Sequence, residues 1–145
     1  MSNKELAKAF KLTAQLMELH DENPFKIRSI QNAAFKLERH PVPIEKLSVD
    51  EIGSIEGVGK GIQAKISDLL ARSSFPEMDE MLEQTPKGVI EMLSIKGIGP
   101  KKVRTLWKEL GIESTGELLY ACNENRLVEL KGFGEKTQAQ IKHAI

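Results

Sequence analysis

One short pattern occurs three times in this sequence of 145 residues. It consists of an apolar residue, any residue, glycine, an apolar residue and glycine, and a helical stretch follows at once. The copies read "IEGVGKGIQAKI" at 55–66, "IKGIGPKKVRTL" at 95–106 and "LKGFGEKTQAQI" at 130–141. Their spacings of 40 and 35 residues are too uneven for a solenoid. The pattern therefore predicts one small hairpin that is used three times in a helical protein.

The two glycines of each copy have different expected roles. The first suits a turn with positive φ, which a Cβ would resist. The second leaves the entry to the next helix without a side chain, so that a ligand can approach the backbone closely. The free N–H groups and the positive dipole end of that helix suit an anion such as phosphate. The predicted phosphate-binding residues are Gly57, Gly59 and Lys60, then Gly97, Gly99, Lys101 and Lys102, and finally Gly132, Gly134 and Lys136.

Apolar positions around the hairpins predict packing contacts. The residue between the two glycines, which is Val58, Ile98 or Phe133, is expected to anchor each hairpin in the core. Trp107 lies on the apolar face of the helix after the second hairpin and is also expected in the core.

The rest of the sequence is helical almost throughout and carries no strand signal. Ser-x-x-Glu capping boxes begin three of the predicted helices, at Ser2, Ser48 and Ser114. Asn23 is a predicted N-cap, since proline follows it at the first helical position. We therefore expect eight to ten short helices without a sheet, and the fold class is all-α.

A stretch rich in serine, proline and acids at 73–88 is the predicted domain junction. It divides the chain into two small helical domains, 1–85 with the first repeated hairpin and 86–145 with the other two.

Charge is balanced overall, with 21 Lys and Arg against 21 Asp and Glu, which counts against a nucleic-acid binder that relies on bulk charge. Basic residues are nevertheless concentrated at 96–108, which contains five of them and no acid. The acidic stretch 77–83 is predicted to be a solvated helix face turned away from the phosphate-binding surface. A local basic stripe is therefore expected to meet phosphates.

No apolar run reaches the roughly 18 residues needed to cross a bilayer. Charges interrupt the apolar positions of the N-terminus, so it is not a signal peptide. The single cysteine, Cys122, fits a reducing compartment. We expect a cytoplasmic monomer without membrane contact. His20, His40 and His143 have no Cys or Asp at ligand spacing, so no zinc site is expected.

The repeated pattern resembles the helix-hairpin-helix motif, which grips DNA backbones without reading their sequence. Together with "ENPFKIRSIQNAA" and "GIESTGEL", the three hairpins resemble the N-terminal part of the family X DNA polymerases of the beta type, over essentially the whole chain. The resemblance implies a lyase-like domain and a fingers segment that act in base excision repair, on gapped or nicked DNA with a 5′-phosphate. The sequence ends where the palm of that family would begin. A longer parent polymerase is therefore expected, and no polymerase activity from these 145 residues.

The resemblance also implies 5′-deoxyribose phosphate lyase chemistry, in which a lysine forms a Schiff base with the sugar aldehyde. Lys65 matches that nucleophile, and Lys26 and Lys60 would supply cations and hold the 5′-phosphate. Two positions depart from the family, because Ile30 replaces a tyrosine and Gly61 replaces a lysine of its vertebrate members. Both lyase activity and DNA binding alone stay open.

Backbone carbonyls of the hairpins in this family coordinate a monovalent cation, K⁺ or Na⁺, beside a DNA phosphate. The matching carbonyls belong to Gly53, Ile55 and Val58 in the first hairpin and to Leu93, Ile95 and Ile98 in the second.

A second hypothesis is a free-standing helix-hairpin-helix scaffold for branched or nicked DNA, or for a partner repair enzyme. The N-terminal segment "ENPFKIRSIQNAAFKL" favours the polymerase-type interpretation, because a bare hairpin scaffold would not need it.

Overall fold

The computed structural model describes residues 1–145 and contains nine α-helices and no strand, so the predicted all-α fold is confirmed. The helices are α1 (Asn3–Leu19), α2 (Pro24–Arg39), α3 (Val49–Gly53), α4 (Lys60–Arg72), α5 (Pro76–Glu83), α6 (Lys87–Met92), α7 (Pro100–Leu110), α8 (Thr115–Asn123) and α9 (Glu135–Ala144). Two short 3-10 helices lie at Ile44–Lys46 and Leu127–Glu129. None of the helices combines the length and the apolar character that crossing a membrane requires.

The chain divides into two compact units, Met1–Gln84 and Thr85–Ile145. In the first unit α1 and α2 pack against each other along their apolar faces. The boundary between the units falls inside the stretch predicted as a junction, 73–88, and the part of that stretch up to Gln84 belongs to the first unit. Phe75 lies directly before α5 and is fully buried against Phe10 of α1, with ring centroids 5.2 Å apart. An aromatic contact thus attaches α5 to α1, and the unit ends at Gln84, one residue before the end of the predicted first domain.

Side-chain caps fix the starts of four helices. Ser2 and Ser48 form complete capping boxes, and the Asn23 side chain accepts a hydrogen bond from the N–H of Phe25. Ser114 differs from the prediction. Its hydroxyl oxygen accepts a hydrogen bond from the backbone N–H of Glu117, as a capping box requires. The Glu117 carboxylate, however, accepts its bond from the Ser114 hydroxyl and not from the Ser114 backbone N–H. Half of this capping box is therefore formed.

The second unit contains the other two hairpins. Helices α6 and α7 flank one of them, and α9 follows the other. α8 packs against both α6 and α9. Packing is tight at Gly88 of α6, where an added Cβ would collide with the carbonyl oxygen of Glu113.

Candidate nucleic-acid interface

Each repeated pattern folds into the same tight turn. In the first hairpin (55–59) the N–H of Val58 donates to the carbonyl of Ile55 at 3.0 Å. The equivalent bonds measure 3.5 Å in the second hairpin (95–99) and 3.0 Å in the third (130–134). The first glycines have φ of 85°, 97° and 86°, as the third position of a type II turn requires. The predicted positive φ at these glycines is confirmed.

The second glycines do not need to be glycine for the sake of the fold. Gly59, Gly99 and Gly134 have φ of −83°, −101° and −169°, which other residues adopt as well. A Cβ added at any of the three would have no atom within 4 Å. The space in front of these helices is therefore open, and the absence of a side chain keeps the backbone accessible from outside.

These same glycines are the N-caps of α4, α7 and α9, and none of the three helices has a side-chain cap. The first N–H groups of a helix need partners from outside it. Serine or asparagine supplies them in α1, α2, α3 and α8. The three hairpin helices instead present these donors, together with the positive end of the helix dipole, to a ligand.

The three hairpin helices differ in their first residue. Lys60 begins α4, Pro100 begins α7 and Glu135 begins α9. Proline removes one N–H donor from the second hairpin. The carboxylate of Glu135 interacts favourably with the helix dipole and repels an incoming phosphate. Sequence reasoning treated the three hairpins alike, but the third is the least suited to an anion.

The anchoring role of the central apolar residue is confirmed for two hairpins and wrong for the third. Val58 and Ile98 are buried. Phe133 is half-buried, and the ammonium of Lys102 lies 5.0 Å from the centre of its ring. The cation covers an aromatic face that the core of this small unit leaves exposed.

Lys102 and its neighbour Lys101 were both predicted to bind phosphate, and the structure separates them. Nζ of Lys102 donates a 2.8 Å hydrogen bond to the carbonyl oxygen of Gly132 in the third hairpin. Lys101 is exposed near the start of α7. Lys102 therefore joins α7 to the third hairpin, and Lys101 is the lysine of this pair that is placed to meet a ligand. No local signal could have separated them, since Lys102 and Gly132 are 30 positions apart in the sequence.

A cavity of about 340 Å³ lies beside the first hairpin, and we call it the phosphate pocket. It brings together several residues that the sequence singled out, but Lys60 is not among those that line it. Ile30, one of the two positions at which this sequence departs from the family pattern, is buried in its wall. The lining residues are Lys26, Ser29, Ile30, Gly57, Gly59, Gly61, Ile62, Lys65 and Glu77.

Lys65 is largely buried in this pocket, with 20% of its side chain exposed. Its Nζ lies 3.5 Å from Oε1 of Glu77, which belongs to α5. The acidic stretch 77–83 was expected to be a solvated helix face, but its first residue, Glu77, is half-buried and lines this pocket. The sequence gives no sign of this contact, because it depends on how α5 folds back after α4.

Lys36 is a basic residue that sequence reasoning missed. Its side chain lies along the first hairpin, so that a Cβ added to Gly57 would be 3.4 Å from Cε of Lys36. The aliphatic part of Lys36 thus covers the turn, and a further positive charge lies close to the hairpin.

Trp107 was expected in the core and is half-exposed instead. Its indole N–H donates to a carboxylate oxygen of Glu113 at 3.0 Å, and Nζ of Lys108 lies 3.8 Å from the ring centre. The polar edge of the indole needs a partner, and the loop after α7 supplies one.

Comparison with known proteins agrees with this geometry. Residues 1–75 match the helix-hairpin-helix domain family, and residues 89–145 match the SAM-like helix-hairpin-helix tandem. The DNA polymerase/3'-5' exonuclease PolX of Bacillus subtilis (strain 168) is 30% identical over all 145 residues. The chain spans 25% of the length of that relative. The resemblance to family X DNA polymerases is thereby confirmed.

Proposed function

This chain belongs to the helix-hairpin-helix domain family, whose members bind DNA, and from that premise we propose that it holds gapped or nicked DNA by its phosphates. We further propose that it serves as the DNA-holding part of a repair polymerase similar to its Bacillus relative, and that it does so as a cytoplasmic monomer. Polymerase activity itself is no part of this proposal, since the chain corresponds to a quarter of that relative.

The observation that carries the proposal is the state of the second glycines. Gly59 and Gly99 stand at uncapped helix N-termini, in open space and with unstrained extended backbone. Folding alone does not select glycine there, whereas close approach of a phosphate to the first N–H groups does. Contacts of this kind carry no base specificity, so binding depends on charge and on backbone geometry.

The phosphate pocket supports a preference for a 5′-phosphate at a gap. Lys26 and Lys65 both line it, and so does Gly59 of the first hairpin. A terminal phosphate carries close to two negative charges at pH 7 and gains more from two ammonium groups than an internal phosphodiester does.

Lyase chemistry is the second candidate for the same pocket, because Lys65 is well shielded from water. Schiff-base formation needs the neutral amine, and the contact with Glu77 is one that the protonated amine forms. We therefore favour binding over catalysis. Borohydride would trap the protein on DNA with a 5′-deoxyribose phosphate if Lys65 reacts, and Lys65→Ala would abolish that trapping while DNA binding persists.

The decisive test of the grip is Gly99→Val in the full chain, with Gly59→Val as its counterpart in the first hairpin. A branched side chain would keep phosphate away from the backbone, so we expect DNA affinity to fall at least tenfold while helix content stays unchanged. Affinity is measured by fluorescence anisotropy on gapped duplexes. Gly116→Ala is the matched control, because it adds a methyl group to a glycine outside the hairpins with only Ser114 Oγ nearby, at 3.9 Å.

Salt dependence provides the second arm of this test. Backbone binding predicts that log K falls with log salt by about 0.9 for each phosphate contact on duplex DNA. A flat response, a strong preference for one base sequence, or normal binding by Gly99→Val would refute the hairpin grip. Equal affinities for gapped DNA with a 5′-phosphate and with a 5′-hydroxyl would favour the free-standing scaffold.

We also propose a K⁺ or Na⁺ ion at the first two hairpins, held by the carbonyls of Gly53, Ile55 and Val58 and of Leu93, Ile95 and Ile98. The carbonyls of Ile55 and Ile95 each accept one bond within the turn and keep a second lone pair. Replacing K⁺ by tetramethylammonium at constant ionic strength should weaken DNA binding. Unchanged affinity in that salt would exclude a bound ion.

A further inference from the structure

The phosphate pocket contains one negative charge that a phosphate site does not need. Glu77 lies at the second position of α5 and places Oε1 3.5 Å from Nζ of Lys65. Although 46% of its side chain is exposed, its other oxygen, Oε2, has no accessible surface and no hydrogen-bond partner. A carboxylate oxygen without a donor is unfavourable, so the ion pair with Lys65 is the contact that holds Glu77 in the pocket.

This arrangement places Glu77 in competition with any anion that enters the pocket. A phosphate that uses Lys65 must either displace the carboxylate or bind beside it. In both cases it loses part of the attraction that Lys26 and Lys65 would otherwise provide. The repulsion grows with the charge of the ligand, so it is larger for a terminal phosphate than for an internal phosphodiester.

We propose that Glu77 limits the affinity of this pocket for a terminal 5′-phosphate through its ion pair with Lys65. The inference rests on the proposed function and adds a regulatory residue to it. The carboxylate weakens capture of the 5′-end so that a bound gap can be released, and it keeps the Lys65 ammonium occupied while the pocket is empty.

The test compares Glu77→Gln with the wild type on a duplex containing a one-nucleotide gap, prepared with a 5′-phosphate or a 5′-hydroxyl. The dissociation constant for the 5′-hydroxyl duplex, divided by that for the 5′-phosphate duplex, measures the preference for the phosphate. This ratio removes contributions from the other hairpins. We expect Glu77→Gln to raise this ratio about two- to fivefold, the range for a partly exposed ion pair. Glu80→Gln, which removes an exposed carboxylate from the same helix, should leave the ratio unchanged.

The double variant Lys65→Met/Glu77→Gln shows whether the effect acts through the ion pair. The gain in 5′-phosphate preference should disappear when Lys65 is absent. A ratio in Glu77→Gln equal to that of the wild type would overturn the inference, and so would a gain that persists without Lys65. A purely structural role for Glu77 would change stability and both dissociation constants together, and would leave their ratio unchanged.

Failure of the proposed function is visible in the same data. Absence of binding to the 5′-hydroxyl duplex would refute the DNA grip and not the role of Glu77. A titration with inorganic phosphate, followed by NMR of the backbone amides of Gly61 and Ile62, tests that role without DNA. Saturation at a lower phosphate concentration in Glu77→Gln supports it, and identical titration curves refute it.

Discussion

The two units carry the same hairpin on surfaces of opposite charge. Met1–Gln84 contains 11 Lys and Arg against 14 Asp and Glu, a formal charge of −3. Thr85–Ile145 contains 10 against 7, a formal charge of +3. The first unit also has the phosphate pocket with its internal ion pair, whereas the second has a basic stretch that contains no acid.

The difference indicates a division of labour between the units. Long-range attraction to DNA depends on the net charge of a surface, so the second unit is expected to provide most of the salt-dependent affinity. In the function proposed above, the first unit would attract DNA weakly and would recognise one feature of it, a terminal phosphate, through a few placed groups. The net charge of zero for the whole chain is thus the sum of two opposite formal charges, one on each unit.

The largest effect is expected from Gly88→Ala, which damages the second unit alone. Its Cβ would collide with the backbone carbonyl of Glu113. Because the nearest atoms belong to the backbone, a change of side-chain rotamer cannot relieve this clash. We expect the unfolding free energy of this unit to fall by more than about 3 kcal/mol and most DNA affinity to disappear. Trp107 and Tyr120 are the only Trp and Tyr of the chain, so fluorescence reports the second unit, while far-UV circular dichroism reports both.

The matched control is again Gly116→Ala, a helical glycine with open space around its Cα, which should be neutral or stabilising by up to about 1 kcal/mol. The opposite result would be a Gly88→Ala protein that has lost the fluorescence transition but keeps most of its DNA affinity. It would contradict the assignment of most DNA affinity to the second unit. The acidic first unit would then be the main DNA-binding surface.

Local features of this fold were predictable from the sequence because their causes are local. The φ of Gly57 and the cap at Ser48 each depend on a few consecutive residues. Contacts between distant residues were not predictable. The bond from Lys102 to Gly132 and the ion pair between Lys65 and Glu77 arise only when the helices pack.

The stretch 73–88 illustrates the same limit, because the boundary between the units falls inside it, after Gln84, and most of it is nevertheless packed into the first unit. Serine, proline and acids at 73–88 are typical of a linker, and they outnumber the one aromatic residue in that stretch. Phe75 is nevertheless fully buried and its ring stacks on that of Phe10, so the start of this stretch is attached to α1. Composition describes a segment, but it does not show which single side chain reaches the core.

The second prediction separates Lys101 from Lys102 within the basic unit. Lys101→Met should reduce the salt slope of DNA binding by about one phosphate contact with little change in stability. Lys102→Met removes the bond to the Gly132 carbonyl and the cation over Phe133, so we expect a loss of about 1 kcal/mol in stability. Chemical denaturation followed by Trp107 fluorescence, combined with salt titrations, distinguishes the two. Equal behaviour of both variants would show that Lys102 is an ordinary phosphate ligand.

A smaller effect is expected at the third hairpin. Glu135→Gln removes a negative charge from the N-terminus of α9, where it opposes phosphate. DNA affinity should rise about two- to fivefold, and the helix should lose up to about 0.5 kcal/mol of stability. Glu129→Gln removes an exposed carboxylate from the 3-10 helix before that hairpin and is the control. Unchanged affinity in Glu135→Gln would mean that the third hairpin does not approach DNA.

The smallest effect is expected in the pH dependence of stability, and it again divides the units. All carboxyl groups with a clearly shifted pKa lie in the first unit. Hydrogen bonds from the backbone N–H and hydroxyl of Ser2 and of Ser48 lower the pKa of Glu5 and Glu51. The Lys11 ammonium lowers the pKa of Glu38. Asp79 also has a lowered pKa, mainly because it accepts a hydrogen bond from Ser74 and, to a smaller extent, because it accepts one from Arg72.

A carboxyl group whose pKa is lower in the folded state stabilises the protein above its unfolded pKa, which is 4.5 for Glu and 3.8 for Asp. That contribution is lost as the pH falls through the folded pKa. The amino terminus of Met1 behaves in the opposite sense. Its hydrogen bond to Glu45 raises its pKa above 8.0, so its contribution is complete below pH 8.0 and is lost at higher pH.

Acid should therefore weaken the first unit before the second. Below about pH 4.5, the transition seen by circular dichroism should move to lower denaturant while the Trp107 transition changes less. Glu51→Gln should reduce this acid sensitivity, because one of the four shifted carboxyl groups is gone. In the second unit the Cys122 thiol has a pKa raised by burial above 9.0, so it responds only in alkali. Coincident acid shifts of both transitions would show that the units unfold as one, and the contrast between them would then concern charge and not stability.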